Sequence, residues 1–195
     1  MYFGVSRVML VYEFHGLRII TIDDYEAYPD DERIEVFEGV PYAMASPSLI
    51  HQRLSMELSY LLKDYIRKKK GMCEVLAAPF DVKLSDDLLT IVQPDVMIVC
   101  DPSKLDKNRC NGAPDFIIEI VSSGNAAHDY VKKLNYYQYY GVKEYWIVDP
   151  DNRAITIYDF ERELYAKRYT FDDKVKVGIY EDFYIDFSPL KELLQ

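Results

Sequence analysis

The sequence predicts an α/β domain in which a mixed central β-sheet of about five or six strands is flanked by helices. Two segments, 96–100 and 116–121, are almost entirely apolar, which is typical of strands covered on both faces. A strand–helix–strand unit over 116–148 indicates a parallel connection, which is right-handed by rule. A long amphipathic helix in the first third of the chain supplies a cover for one face of the sheet.

The first predicted elements are a short helix and a hairpin. Thr21 and Asp24 have the spacing of a capping box, which predicts a helix over 22–28. Two short apolar-rich runs within 33–44 flank a turn at Gly39 and therefore predict a β-hairpin.

The clearest helix follows the hairpin. Ser46-Pro47 has the composition of a helix start, and leucine, tyrosine and isoleucine then recur at helical spacing. The basic run Arg67–Lys70 lies in the last turn, where positive charge suits the helix dipole, and Gly71 is the expected end.

The remaining elements complete the sheet. A helix is predicted over about 126–140, and a short last helix begins at Ser188-Pro189. Further strands are predicted at 73–77, 80–84, 96–100, 116–121, 145–148, 154–160 and 164–171. We interpret the chain as an N-terminal arm over 1–20 and a single domain over 21–195.

Composition limits the function classes. The 195 residues are 49% apolar and carry a formal charge of −10, from 33 acidic and 23 basic side chains. That balance argues against a non-specific nucleic-acid coating protein, which would be strongly basic. A nuclease is not excluded, because metal ions and basic groups at a site can override the global charge.

The cysteines and the hydropathy indicate the compartment. Cys73, Cys100 and Cys110 form no CxxC pair, so a thiolate zinc site is excluded and reduced thiols are expected. No apolar run reaches 18 residues, and Arg7 interrupts the apolar N-terminal stretch. These features predict a cytoplasmic protein without a membrane partner.

Two carboxylates within the apolar strands are the informative polar residues. Asp95 opens one strand and Glu119 lies inside another, where a buried charge needs a cation. That cation is a metal, a lysine or an arginine; for Asp95 alone, a strand-start carboxylate facing water is the simpler interpretation. If the strands are neighbours, the two side chains form the oxygen environment that Mg²⁺ or Mn²⁺ prefers.

Several segments match a known pattern. Over roughly residues 20–190 the sequence resembles the Uma2 (Uma-two) family, restriction-endonuclease-like members of the PD-(D/E)xK nuclease superfamily. The segments that carry the resemblance are Ile34–Val40, Ser46-Pro47 before His51, Pro94-Asp95, Pro114–Ser122, Asp129, Lys133-Leu134, Tyr137 and Gly141–Pro150. It implies a restriction-endonuclease-like fold and metal-dependent hydrolysis of DNA phosphodiester bonds by an endonuclease.

The resemblance also implies roles. Asp95 and Glu119 would bind Mg²⁺ or Mn²⁺, with the backbone carbonyl of Ile120 as a further ligand. The superfamily lysine usually stands two residues after the glutamate, where this chain has Val121. The resemblance places that lysine at Lys133 on the following helix, where it would assist the attacking water or the transition state.

Other candidates keep two interpretations each. Lys133 could instead be a solvated lysine paired with Asp129, although Asp129 could equally orient it. Glu35 is either a third acidic group of the site or an exposed hairpin carboxylate. His51 is either structural or in contact with the reaction or with DNA, and Gln93 is a candidate for contacting a phosphate or a water.

The tyrosines and the basic helix end are ambiguous. Five of the 18 tyrosines lie in residues 130–140, where they could stack nucleic-acid bases or pack against the sheet and a dimer partner. The basic run at 67–70 is either a phosphate contact or a solvated helix end.

A homodimer suits double-strand cleavage. The alternative function is a catalytically inactive nuclease-fold module that binds nucleic acid or a protein.

Overall fold

The structure is a computed structural model of the chain. It describes residues 19–29, 31–121, 126–162 and 166–194, and within the last long helix it describes side chains from residue 132 onward. The predicted arm over 1–20 therefore lies almost wholly outside the described residues, and its separation from a single domain stays a prediction.

Helices and strands follow the predicted order closely. The helices are α1 (Ile22–Glu26), α2 (Leu49–Lys68) and α3 (Ala126–Tyr140), with 3₁₀ turns at Pro102–Lys104 and Pro189–Leu194. The strands are β1 (Ile34–Phe37), β2 (Val40–Ala43), β3 (Glu74–Ala77), β4 (Asp81–Ser85), β5 (Thr90–Val92), β6 (Val96–Val99), β7 (Arg109–Asn111), β8 (Phe116–Ile120), β9 (Glu144–Asp149), β10 (Ala154–Asp159), β11 (Lys167–Thr170), β12 (Lys174–Lys176) and β13 (Tyr184–Asp186).

The strands form two main sheets where the sequence predicted one. A six-stranded sheet has the order β11-β10-β9-β8-β6-β3, a five-stranded sheet has the order β2-β1-β5-β4-β7, and β12 pairs with β13. The prediction missed β5, β7, β12 and β13 because three residues are too few to show a periodicity. Together with β4, strands β5 and β7 extend the hairpin into a sheet of its own.

The larger sheet is mixed, as predicted. Strands β8 and β9 are parallel and α3 connects them, which confirms the crossover expected over 116–148. The other pairs in this sheet are antiparallel, including β6 with β8. The fold class predicted from the sequence, a mixed sheet flanked by helices, is confirmed.

Alternate side chains of the larger sheet enter two separate cores. Even-numbered residues of β6 and β8, such as Ile98 and Ile118, pack with the apolar face of α2. Odd-numbered residues, such as Met97 and Ile117, pack on the opposite side with Tyr137 of α3 and with the five-stranded sheet. The period of two along a strand therefore directs Glu119 of β8 to the side of α3.

The helix boundaries confirm one predicted signal and correct two. Thr21 and Asp24 form the predicted capping box. The N-cap of α2 is Ser48, whose side chain accepts a hydrogen bond from the His51 amide, and not Ser46. At the other end, α2 stops at Lys68, before the predicted end at Gly71, and Lys70 adopts the left-handed conformation.

The expectation of three reduced cysteines is wrong for two of them. Cys73 and Cys100 form a disulfide, and Cys110 is free and buried. The pairing of Glu74 with Val99 brings the two cysteines opposite each other at the ends of β3 and β6, although 27 residues separate them in the chain. Within the described ranges, no helix is long and apolar enough to cross a membrane.

Candidate active site

Asp95 and Glu119 lie directly opposite each other. Val96 pairs with Ile118 in the antiparallel ladder between β6 and β8, so continuing that register by one residue pairs Asp95 with Glu119. Glu119 extends toward α3, where it contacts Lys133 and Tyr137, whereas Asp95, which directly precedes β6, contacts His51 in the first turn of α2.

Asp95 is held by two donors. Its Oδ2 accepts a hydrogen bond from the Ile120 amide at 2.7 Å and contacts His51 Nε2 at 3.0 Å. The first turn of α2 places His51 there, with 9% of its surface exposed. His51 Nδ1 is buried and has no hydrogen-bond partner among the described residues. The contact with Asp95 is therefore the polar interaction that fixes this imidazole.

Glu119 accepts two hydrogen bonds from α3 through one of its carboxylate oxygens. Its Oε1 accepts from the Tyr137 hydroxyl at 2.6 Å and from Lys133 Nζ at 3.0 Å. Lys133 and Tyr137 are four residues apart, so they project from one face of the helix. This role of Tyr137 was not predicted from the sequence, although its spacing from Lys133 is the signal that could have revealed it.

Lys133 joins the two sheets. Its Nζ lies 2.9 Å from Glu35 Oε1 on β1 and 3.0 Å from Glu119 Oε1 on β8. Lys133 is 8% exposed and Glu35 is 7% exposed. The alternatives of a solvated Lys133 and an exposed Glu35 are therefore wrong. The side chain of Asp129 lies outside the described residues, so its predicted pairing with Lys133 stays a prediction.

The electrostatics follow from three carboxylates sharing one lysine. Burial, and secondarily the charges of Asp95 and Glu35, raise the pKa of Glu119 to about 7 although Lys133 opposes the rise. Burial alone would lower the pKa of Lys133, but Glu119 and Glu35 outweigh it and raise that pKa. Lys133 therefore stays charged, and the excess negative charge disfavours ionisation of Glu119.

Gln93 positions Glu35 and does not face the cavity. The backbone amide of Gln93 donates to Glu35 Oε1 at 3.0 Å, and its side-chain oxygen accepts from Arg33 at 2.9 Å. Its Nε2 donates to Asp81 Oδ1 at 3.0 Å. These contacts hold Gln93 between β5 and β6, where the chain passes from one sheet to the other, and its predicted contact with a phosphate or water stays a prediction.

A cavity of about 560 Å³ opens above these residues. Its charged lining consists of three basic and three acidic side chains, namely Arg33, Lys132, Lys133, Glu35, Asp95 and Glu119. Formal charges in the cavity therefore cancel, in contrast to the −10 of the whole chain.

The donor set fits a hard divalent cation. Among the residues that the structure describes, no three His, Cys, Asp or Glu side chains form a ready-made metal cluster. Mg²⁺ commonly takes only one or two carboxylates and keeps several waters. Asp95 and Glu119 place two carboxylates at the cavity wall, and Ile120, whose carbonyl is the predicted further ligand, also lines the cavity.

The tyrosine cluster and the basic helix end lie apart from the carboxylates, except for Tyr137. Tyr136 and Tyr140 stack at 6.3 Å, and Tyr139 is 82% exposed. At the end of α2, Arg67 and Lys68 pair with Asp64, and Lys69 pairs with Asp182. These ion pairs favour the solvated helix end over a phosphate contact.

Comparisons with known proteins agree with this architecture. The Uma2 family model, whose description is "Putative restriction endonuclease", matches residues 22–188. The uncharacterized protein slr1290 of Synechocystis sp. is 26% identical over 128 residues, which cover 65% of this chain and 66% of that protein.

A solved structure shows the same fold. The crystal structure of a "putative nuclease belonging to DUF820" from Anabaena variabilis has a TM-score of 0.74 with this chain at 18% identity. The match covers 90% of this chain and 99% of that one. Because the family model spans most of the described domain, this nuclease-like protein belongs to the Uma2 family of restriction-endonuclease-like proteins.

Proposed function

We propose that this protein is a metal-dependent endonuclease, a hydrolase that cleaves DNA phosphodiester bonds. The observation that carries the proposal is the convergence of Asp95, Glu119 and Lys133, from three separate elements, at the wall of one cavity. An ion pair that only stabilises the fold needs neither a second carboxylate opposite its own carboxylate nor a cavity beside the pair.

Asp95, Glu119 and the carbonyl of Ile120 would hold Mg²⁺ or Mn²⁺. A divalent metal in such a site lowers the pKa of a bound water and neutralises charge on the phosphate. The Ile120 amide and His51 fix Asp95 Oδ2, so the carboxylate keeps one orientation toward the cavity. This fixation follows the general pattern in which outer hydrogen bonds orient metal ligands.

Lys133 supplies a fixed positive charge beside the reacting phosphate. Glu35 and Glu119 hold its Nζ from two directions, so the ammonium is positioned before substrate binds. A preorganised cation of this kind stabilises the negative charge that develops in the transition state without reorganisation. Val121 stands at the usual lysine position of the strand, and the helix supplies the charge in its place.

The local charge favours substrate binding more than the global charge does. Carboxylates and basic groups balance within the cavity, so a bound divalent cation would make the site net positive. The excess of acidic groups elsewhere limits binding of DNA away from the cavity.

The experiment is cleavage of supercoiled plasmid and, in parallel, of single-stranded circular DNA, each with Mg²⁺ or Mn²⁺. Wild type is compared with Asp95→Ala, Glu119→Ala and Lys133→Met, and with Glu144→Gln as a matched control. Glu144 is also a buried carboxylate, but it pairs with Phe116 at the opposite end of β8 and bonds Trp146. We expect cleavage by wild type and Glu144→Gln and its loss in the three site variants.

Two outcomes would contradict the proposal. Equal cleavage by all variants would remove the site from the reaction. Absence of cleavage by wild type, with DNA binding retained, would favour the nuclease-fold binding module instead.

A further inference from the structure

The β1–β2 hairpin presents two aromatic rings beside the carboxylates. Tyr42 pairs directly with Glu35 across the hairpin, and Phe37 lies two residues after Glu35 on the same strand. All three side chains therefore share one face of the hairpin. The aromatic wall formed by Phe37 and Tyr42 is thus one strand spacing from the ion pair of Glu35 with Lys133.

Tyr42 differs from Phe37, the other aromatic residue described at this cavity, because it is open to solvent. It is 44% exposed, whereas Phe37 is 6% exposed. Its strand, β2, is the edge of the five-stranded sheet. Its ring packs edge-on against Phe37, with the ring centres 5.6 Å apart, and also lines the cavity, so the exposed part of the ring is accessible to a ligand.

A second lysine lies over these rings. Lys132 Nζ is 3.9 Å from the centre of the Tyr42 ring and 4.5 Å from that of Phe37. Lys132 lines the cavity together with Lys133. A cation placed on aromatic faces, next to a proposed site of phosphate cleavage, matches a ligand that combines negative charge with a planar ring.

The size of the cavity narrows the choice of ligand. About 560 Å³ lies within the range of pockets that enclose one small molecule, roughly 300–1,000 Å³. A base within a duplex is stacked on both faces and cannot reach a wall of this kind without leaving the helix. An unpaired nucleotide offers both a free base face and a phosphate.

We propose that the cavity binds one unpaired nucleotide of single-stranded DNA, with its base stacked on Tyr42 and a phosphate held by Lys132. This inference rests on the proposed function and names its substrate class. Lys133 and the carboxylates then act on a phosphate adjacent to the stacked base. Double-stranded DNA is a substrate only where it is frayed, flapped or locally open.

The test measures binding by fluorescence anisotropy with Ca²⁺ in place of Mg²⁺. A labelled single-stranded oligonucleotide is compared with the same sequence in a duplex, for wild type, Tyr42→Ala, Tyr42→Phe and Lys132→Ala. Tyr139→Ala and Lys63→Ala are the controls, since Tyr139 is exposed outside the cavity and Lys63 lies on the exposed side of α2.

We expect wild type to bind the single strand at least about tenfold more tightly than the duplex. Tyr42→Ala should weaken single-strand binding roughly 5- to 150-fold, while Tyr42→Phe keeps it because the ring is retained. Lys132→Ala should reduce the slope of log affinity against log salt by about 0.7, the value for one phosphate contact on a single strand. Both controls should match wild type.

Equal or tighter binding of duplex by wild type, or unchanged single-strand binding by Tyr42→Ala, would overturn the inference. Its failure is separable from that of the proposed function. Cleavage that depends on Asp95 but ignores strandedness leaves the nuclease and removes the stacking site. Tyr42-dependent single-strand binding without any cleavage leaves the stacking site and removes the nuclease.

Discussion

Replacing Glu119 with glutamine should change how stability depends on pH. Burial raises the pKa of Glu119 to about 7, against 4.5 for an ordinary glutamate. The folded state therefore holds the proton more tightly than the unfolded chain does. The resulting contribution to stability is complete below about pH 4.5 and is lost as pH rises through about 7.

The size of the effect follows from the same two values. One pKa unit corresponds to about 1.4 kcal/mol, so a rise from 4.5 to about 7 corresponds to about 3 kcal/mol. Most of this pH-dependent change in the free energy of unfolding falls between pH 5 and pH 8. We therefore expect the free energy of unfolding of Glu119→Gln, relative to wild type, to increase by about 2 to 3 kcal/mol from pH 5 to pH 8.

Urea unfolding followed by tryptophan fluorescence measures this pH dependence of the free energy of unfolding, because Trp146 is the single tryptophan and is fully buried. Glu74→Gln is the control, since Glu74 is exposed on β3 and its variant should keep the wild-type pH profile. A difference between Glu119→Gln and wild type that is constant with pH, or that shrinks as pH rises, would refute the reasoning.

Three further outcomes are expected. Tyr137→Phe removes a 2.6 Å hydrogen bond to the Glu119 carboxylate and should lower the free energy of unfolding at pH 8 by about 1.5–3 kcal/mol, measured by urea denaturation; no change would mean that this bond is not formed in solution. His51→Asn should weaken Mn²⁺ binding 10- to 100-fold by calorimetry, and unaltered affinity would remove its orienting role. Reduction of the disulfide between Cys73 and Cys100, which spans 27 residues, should cost about 3–4 kcal/mol of stability, and an unchanged thermal midpoint under dithiothreitol would contradict this.

Local sequence patterns predicted most of the elements because their signals are local. The capping box at Thr21 and the hairpin turn at Gly39 depend on neighbouring residues, and both are present in the structure. The division into two sheets is a property of pairings between distant strands, such as Val36 with Ile91. No pattern within either segment encodes that partner.

The candidate site shows the same limit. Apolar flanks identified Glu119 as a carboxylate that needs a cation, and the resemblance to a family identified Lys133. The contacts of Glu35 and Gln93 depend on where the second sheet meets the first, which the sequence pattern does not contain. For Tyr137 base stacking and packing both stayed open, because a sequence pattern does not show which partner a tyrosine hydroxyl has.

Lys133 contacts one carboxylate from each main sheet, so the proposed catalytic centre also links the two sheets. Opening of one sheet away from the other must separate buried opposite charges, which makes such partial opening costly. The backbone amides of β1 and β8 should consequently exchange with solvent as one cooperative unit. Loss of the lysine would remove this polar link and leave the apolar core that Met97 and Ile117 share with the five-stranded sheet as the contact between the two sheets.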